Sequence, residues 1–249
     1  PGNATITLTA VHEGLSATVA VSVEKISYRV VQYTDDWGGP GFGCGLTSVG
    51  ALYCSGLSFP EQLYTADFWY GVQGSIVPTI VAPGRTFDSL TMGNAHGCAL
   101  TSLGEAWCWG RNTSGGLGNG TTQDSWEPVP VAGGLRFVSL AAGRERTCGI
   151  AVGGTTYCWG LNDRGDFGNG STASTTVPVP AVLGVTLTSL STAHAIVSWS
   201  GANCGVAAAG VYCWGTNEMD QVGNGTRSPN PTLPSLVAGT FLTGVVLAG

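Results

Sequence analysis

Eight cysteines are the residues whose type and spacing most directly promise chemistry. They fall as four pairs: Cys44 with Cys54, Cys98 with Cys108, Cys148 with Cys158, and Cys204 with Cys213. Paired cysteines either ligate a metal or form disulfides. Zinc sites favour C-x2-C knuckles with histidine ligands, and none of these pairs has that knuckle spacing. Each pair instead flanks a short run with glycine near its middle, at Gly50, Gly104, Gly153 and Gly154, and Gly210. Two strands meeting at such a turn bring their ends to the roughly 5.5 Å Cα separation that a disulfide wants. Four disulfides are expected, each worth on the order of 2–3 kcal/mol. They imply an oxidising compartment, so the chain is expected to be periplasmic, cell-surface or secreted.

Other reactive side chains form no catalytic constellation. His12, His96 and His194 are scattered, with no Ser/Asp or Cys partner pattern. Asp35, Asp36, Asp67, Asp124, Asp163, Asp166 and Asp220 make no D-x-D-x-D-G calcium loop. Gly-Asn-Gly at 118–120, 168–170 and 223–225 has the amides of an anion cradle. It lacks the lysine, the following helix and the G-K-[ST] of a phosphate loop, so turn glycine is the better reading. Asn3, Asn112, Asn119, Asn169 and Asn224 satisfy N-x-[ST], but a turn role fits them better than glycosylation. Arg164, Gly165 and Asp166 spell an adhesion tripeptide inside a repeated loop, where chance explains it. No enzymatic activity, cofactor or metal is expected.

Composition points the same way. Glycine supplies 40 of 249 residues, 43% are hydrophobic and only 10% charged, which is a turn-dense all-β balance rather than a disordered one. Lys25 is the single lysine, and no long segment shows helical periodicity. A net charge of −6 disfavours nucleic acid and anionic membrane surfaces as partners. No apolar run reaches transmembrane length, so direct membrane insertion is not expected. The chain starts at Pro1 with no visible signal peptide, as a mature chain or a fragment would.

The elements that hold the cysteines repeat. Phe87, Phe137 and Leu187 recur at a period of about 50 residues. Each unit reads as a strand (F-x-S-L), a strand with the first Cys, a tight turn, a strand ending Y/W-C-W-G, a glycine-rich loop, and a P-V-P strand. Four strands per unit at this spacing predict a β-propeller blade, with stacking burying what one small sheet cannot. The units run approximately over 26–86, 87–136, 137–186 and 187–240, with 241–249 beginning another. Unit four carries an insertion at 193–201. Residues 1–24 alternate polar and apolar residues around a turn near His12 and predict a β-hairpin. Trp109, Trp159 and Trp214 stand at one repeated position, which favours packing between blades over sugar stacking.

The pattern C-[AG]-[LI]…G…[YW]-C-W-G-x-N-x-x-G-x-[LFV]-G-N-G resembles the repeat of the regulator of chromosome condensation family over roughly 26–249. Unit one departs from it, with Ser55 in place of the tryptophan and no N-x-x-G loop. The family's propellers usually close with seven blades, so the resemblance implies an incomplete ring. The cysteine pairs match secreted bacterial relatives, often joined to immunoglobulin-like domains. Residues 1–24 resemble the last strands of a bacterial group 2 immunoglobulin-like domain; the rival is a hairpin packing on the repeats.

Aromatics outside the repeat are the residues that repetition does not explain. Tyr64, Phe68, Trp69 and Tyr70 lie in unit one, Trp126 in unit two and Trp199 in the unit-four insertion. They sit in loops, where binding residues concentrate, and are candidate partner contacts. The expected function is a non-catalytic protein-binding or scaffold module outside the cytoplasm, with an accessory subunit of a larger envelope or membrane-anchored complex as one form of it. A surface adhesion or carbohydrate-binding propeller and a secreted protein inhibitor are the alternatives.

Overall fold

The computed structural model describes residues 4–12, 15–23, 27–33, 42–56, 75–192, 202–227 and 230–238. The fold is all-β, and no helix occurs among the described residues. Strands β1 (Ala4–His12) and β2 (Leu15–Val23) pair antiparallel from Ala4 opposite Val23 to His12 opposite Leu15, the expected hairpin. All other described strands form four antiparallel four-stranded sheets.

Blade one is β3 (Tyr28–Tyr33), β4 (Phe42–Thr47), β5 (Leu52–Gly56) and β6 (Ser75–Ile80). Blade two is β7 (Ser89–Met92), β8 (His96–Leu100), β9 (Ala106–Gly110) and β10 (Ser125–Pro130). Blade three is β11 (Phe137–Ala142), β12 (Arg146–Ala151), β13 (Thr156–Gly160) and β14 (Thr175–Pro180). Blade four is β15 (Leu187–Ser191), β16 (Ala202–Ala207), β17 (Gly210–Gly215) and β18 (Ser235–Leu236). Each sheet is a meander in sequence order. The segment 241–249 and the insertion 193–201 lie outside the described residues.

In blades one to three the second strand is a continuous buried run, every residue of β4, β8 and β12 being buried, while β16 of blade four is only half-buried. A strand covered on both faces needs no polar alternation. The covering comes from neighbouring blades. One apolar cluster joins Phe42, Leu46 and Leu52 of blade one to Met92 and Trp109 of blade two. A second joins Leu100 and Leu117 to Phe137 and Trp159, and a third joins Ile150 and Phe167 to Leu187 and Trp214. The core therefore lies in the seams. Backbone groups are shared as well: Met92 N–H donates to Gln32 Oε1 at 2.9 Å and Ala142 N–H to Thr91 Oγ1 at 3.0 Å.

All four disulfides join the expected partners: Cys44 to Cys54, Cys98 to Cys108, Cys148 to Cys158, and Cys204 to Cys213. Each crosses the middle two strands of its blade. The expected spacing needs correction, because the Cα atoms stand 4.0–4.1 Å apart rather than near 5.5 Å. The cysteines face one another directly across the ladder, and facing antiparallel partners outside the hydrogen-bonded pairs are the closest in a sheet. Cys54, Cys108, Cys158 and Cys213 are all buried, so they act as cross-links inside the blades and not as contact residues. Gly50 and Gly104, at φ of 80° and 76°, make the turns between these strands. Each turn carbonyl accepts the N–H of the next blade's leading phenylalanine, Phe87 or Phe137, at 2.8 Å.

The outermost strands carry proline at alternate positions. Val129 faces Cys108 and Val179 faces Cys158, which turns the backbone nitrogens of Pro128, Pro130, Pro178 and Pro180 outward from the sheet. Ile80 and Leu236 hold the place of Pro130 and Pro180 in blades one and four.

Candidate functional site

The repeated loop is built around one asparagine. Asn112 Oδ1 accepts the Leu117 N–H at 2.9 Å, while its Nδ2 donates to the carbonyls of Thr121 at 2.9 Å and Gln123 at 3.0 Å. Asn162 does the same for Phe167, Ser171 and Ala173, and Asn217 Oδ1 takes the Val222 N–H at 2.9 Å. The side chain stands in for the hydrogen bonds that a strand would have given this irregular stretch. Asn119, Asn169 and Asn224 instead cap short turns, each accepting the N–H two residues on. Turn roles thus account for these three, and Asn112 is fully buried.

That loop leans on the next blade. A side chain on Gly118 would strike the Trp159 ring, and one on Gly168 the Trp214 ring. Trp159 Nε1–H donates to the Gly116 carbonyl at 2.8 Å, and Trp214 Nε1–H to the Asp166 carbonyl at 2.9 Å. The residues just before Cys148 and Cys204 bond the same carbonyls: Thr147 Oγ1 to Gly116 at 3.0 Å and Asn203 Nδ2 to Asp166 at 2.9 Å. The recurring tryptophans are seam residues, as their register implies.

Polar groups within the seams differ blade by blade. Between blades two and three, buried His96 meets Thr147, with Nε2 and Oγ1 2.8 Å apart. Between blades three and four, Arg146 Nη2 donates to Asn203 Oδ1 at 3.0 Å and stands 3.5 Å from Asp166 Oδ1. Arg146 and Asp166 are both buried. Burial pushes the Asp166 carboxyl above its ordinary range and Asp163 adds to this, while Arg146, Asn203 and Arg164 pull it back. The Arg-Gly-Asp tripeptide is thereby accounted for: its aspartate is sealed in a seam, and Arg164 pairs with Glu218.

This polar column was missed in the sequence. The signal for it is the residue two before each first cysteine, namely Phe42, His96, Arg146 and Ala202. Trp126 also sits at a seam. It packs edge-on to Phe42, with ring centroids 6.2 Å apart, against the cluster shared by blades one and two. Tyr64, Phe68, Trp69, Tyr70 and Trp199 lie outside the described residues. The strands that carry their segments are described. Phe42 faces Gly56 and Gly56 faces Ser75, so 57–74 leaves blade one at the end where Tyr33 and Phe42 also lie. The insertion 193–201 joins β15 to β16 at the corresponding end of blade four. Among the described residues no group of three metal-ligating side chains occurs, and no helix is long and apolar enough to cross a membrane.

Two family models match this chain, both described as the regulator of chromosome condensation repeat, over residues 104–150 and 87–115. No curated protein sequence matches. Solved structures share the fold. Prp20p from Saccharomyces cerevisiae is 19% identical with a TM-score of 0.66, covering 89% of this chain and 53% of that one. Human WBSCR16 is 16% identical with a TM-score of 0.63, covering 78% and 49%. The chain thus spans about half the length of these structures. It carries regulator of chromosome condensation repeats over 87–150, and its four described sheets are blades of the β-propeller fold those structures share.

Proposed function

We propose that the chain is a non-catalytic protein-binding propeller module acting outside the cytoplasm, with its contact surface at the blade ends that carry the irregular aromatic segments. One observation carries the reading. The strands flanking 57–74 and 193–201 end at equivalent ends of their sheets, and those two segments of the sequence hold the aromatics that the repeat does not need. Loops held on a rigid scaffold are where recognition residues concentrate, and tyrosine and tryptophan are the favoured anchors at protein interfaces. Protein binding is also what is described for a fold neighbour, since Prp20p binds Gsp1p and histones. Four disulfides support a place in an oxidising compartment. An accessory subunit of an envelope or membrane-anchored complex fits this reading.

The test is affinity capture from the native envelope fraction, with W69A/Y70A and W199A variants as controls. The expected result is one protein partner retained by the wild type, with affinity falling at least tenfold in the variants at unchanged stability, about 1.4 kcal/mol per decade. A glycan-array signal abolished by the same substitutions would favour carbohydrate binding instead. Substrate turnover by the purified chain would overturn both.

A further inference from the structure

Blade four keeps the fixtures of the repeated loop except one. Asn217 orders it, Gly223 and Gly225 hold φ of 66° and 77°, and Trp214 is buried. The exception is the third residue after the asparagine. Blades two and three place Gly115 and Gly165 there, with φ of 83° and 74°; blade four has Asp220, with φ of 60°. In the first two cases the glycine is what lets the next blade approach. A Cβ on Gly115 would stand 2.9 Å from Thr176 Cα, and one on Gly165 2.9 Å from Thr232 Cα. Both encounters are with backbone of the following blade, Thr176 in its outer strand β14 and Thr232 in the segment leading into β18, which no rotamer change relieves. Alongside, Gly120 and Gly170 N–H donate to the carbonyls of Thr176 and Thr232 at 2.9 and 2.8 Å, tying the same residues of the following blade to the loop. Asp220 turns its carboxylate to Arg227, 3.4 Å away and largely exposed.

We propose that Asp220 is a stop in the stacking register. The face of blade four beyond it does not accept another blade of this repeat, from this chain or from a second copy, in the arrangement used at the two preceding seams. A neighbour there must stand off from Asp220 or cross at a different offset.

The experiment transplants the stop into working seams. G115D and G165D each put an aspartate where a following blade is packed. G84D and G133D are the controls, because both glycines have positive φ, 80° and 89°, with nothing within 4 Å of an added Cβ. The controls report the cost of an aspartate in the left-handed region alone. The readout is hydrogen exchange of the Trp159 and Trp214 indole N–H groups, which bond across the two seams. Expected are exchange at least about tenfold faster for Trp159 in G115D and for Trp214 in G165D, little change in the controls, and D220G no less stable than the wild type. Exchange in G115D and G165D no faster than in the controls would overturn the proposal. So would a D220G variant destabilised beyond the loss of one exposed ion pair, since that would place Asp220 in a built contact.

Discussion

The seam between blades two and three and the seam between blades three and four solve one geometric problem with different chemistry. In both, a loop carbonyl accepts the next blade's tryptophan N–H and a second bond from the residue before the first cysteine. Around that shared acceptor, one seam holds a His96–Thr147 pair and the other a buried Arg146–Asp166–Asn203 cluster. The backbone contact fixes how blades stack, while the side chains beside it are free to vary if each polar group finds a partner across the seam. Three substituted positions convert one solution into the other: His96 against Arg146, Gly116 against Asp166, and Thr147 against Asn203.

The contrast is broken most severely by removing one member of the charged cluster. Asp166→Ala leaves Arg146 buried without its carboxylate and should cost about 3–5 kcal/mol in urea unfolding. The counterpart in the other seam, Thr147→Val, should cost about 1–3 kcal/mol. Equal losses would mean that charge makes no difference between the seams. Asn112→Ala and Asn162→Ala test what the seams share. Each strips a buried N–H and two carbonyls of partners, for roughly 2–3 kcal/mol apiece, and their unfolding midpoints should fall together. Replacing the whole cluster by its neighbour's set, Arg146→His with Asp166→Gly and Asn203→Thr, should stay within about 1 kcal/mol of wild type, because no charge is left stranded.

The smallest expected effect is a drift with pH. The folded carboxyl of Asp166 holds its proton more tightly than the ordinary carboxylate value of 3.8. Its contribution to stability is therefore fully present below that value and is lost as pH rises through the folded pKa. Stability of the wild type relative to Asp166→Asn should decline from acidic to neutral pH in paired denaturation curves. A rising difference would mean that Arg146 outweighs burial.

Most of the blade was legible because its chemistry is local and repeated. The Cys148 to Cys158 hairpin, the Trp159 position and the Gly168 turn announce themselves by recurring at Cys98, Trp109 and Gly118. The same spacing reaches Cys44 with Cys54 and Cys204 with Cys213, where the rest of the repeat is worn or interrupted. What escaped is held by pairs about 50 residues apart, such as His96 with Thr147 and Arg146 with Asn203. A single sequence gives no sign that two varying positions face each other across a seam. Trp126 shows the same limit from the other side. As an aromatic outside the repeat it reads as a candidate contact, yet it stands where Thr176 and Thr232 receive the preceding blade's glycine. The sequence after Cys54 lacks the N-x-x-G pattern, and Trp126 packs on Phe42.

The outward-turned prolines of β10 and β14 bear on how these molecules behave at high concentration. A four-stranded blade ends in an open edge, and an edge with free N–H groups is a template for strand-by-strand growth into insoluble sheets. Pro128, Pro130, Pro178 and Pro180 remove donors from that edge in the two central blades. Ile80 and Leu236 restore a donor in the outer two and are themselves 40% and 51% exposed. Any tendency of this chain to aggregate should begin at the rims of blades one and four.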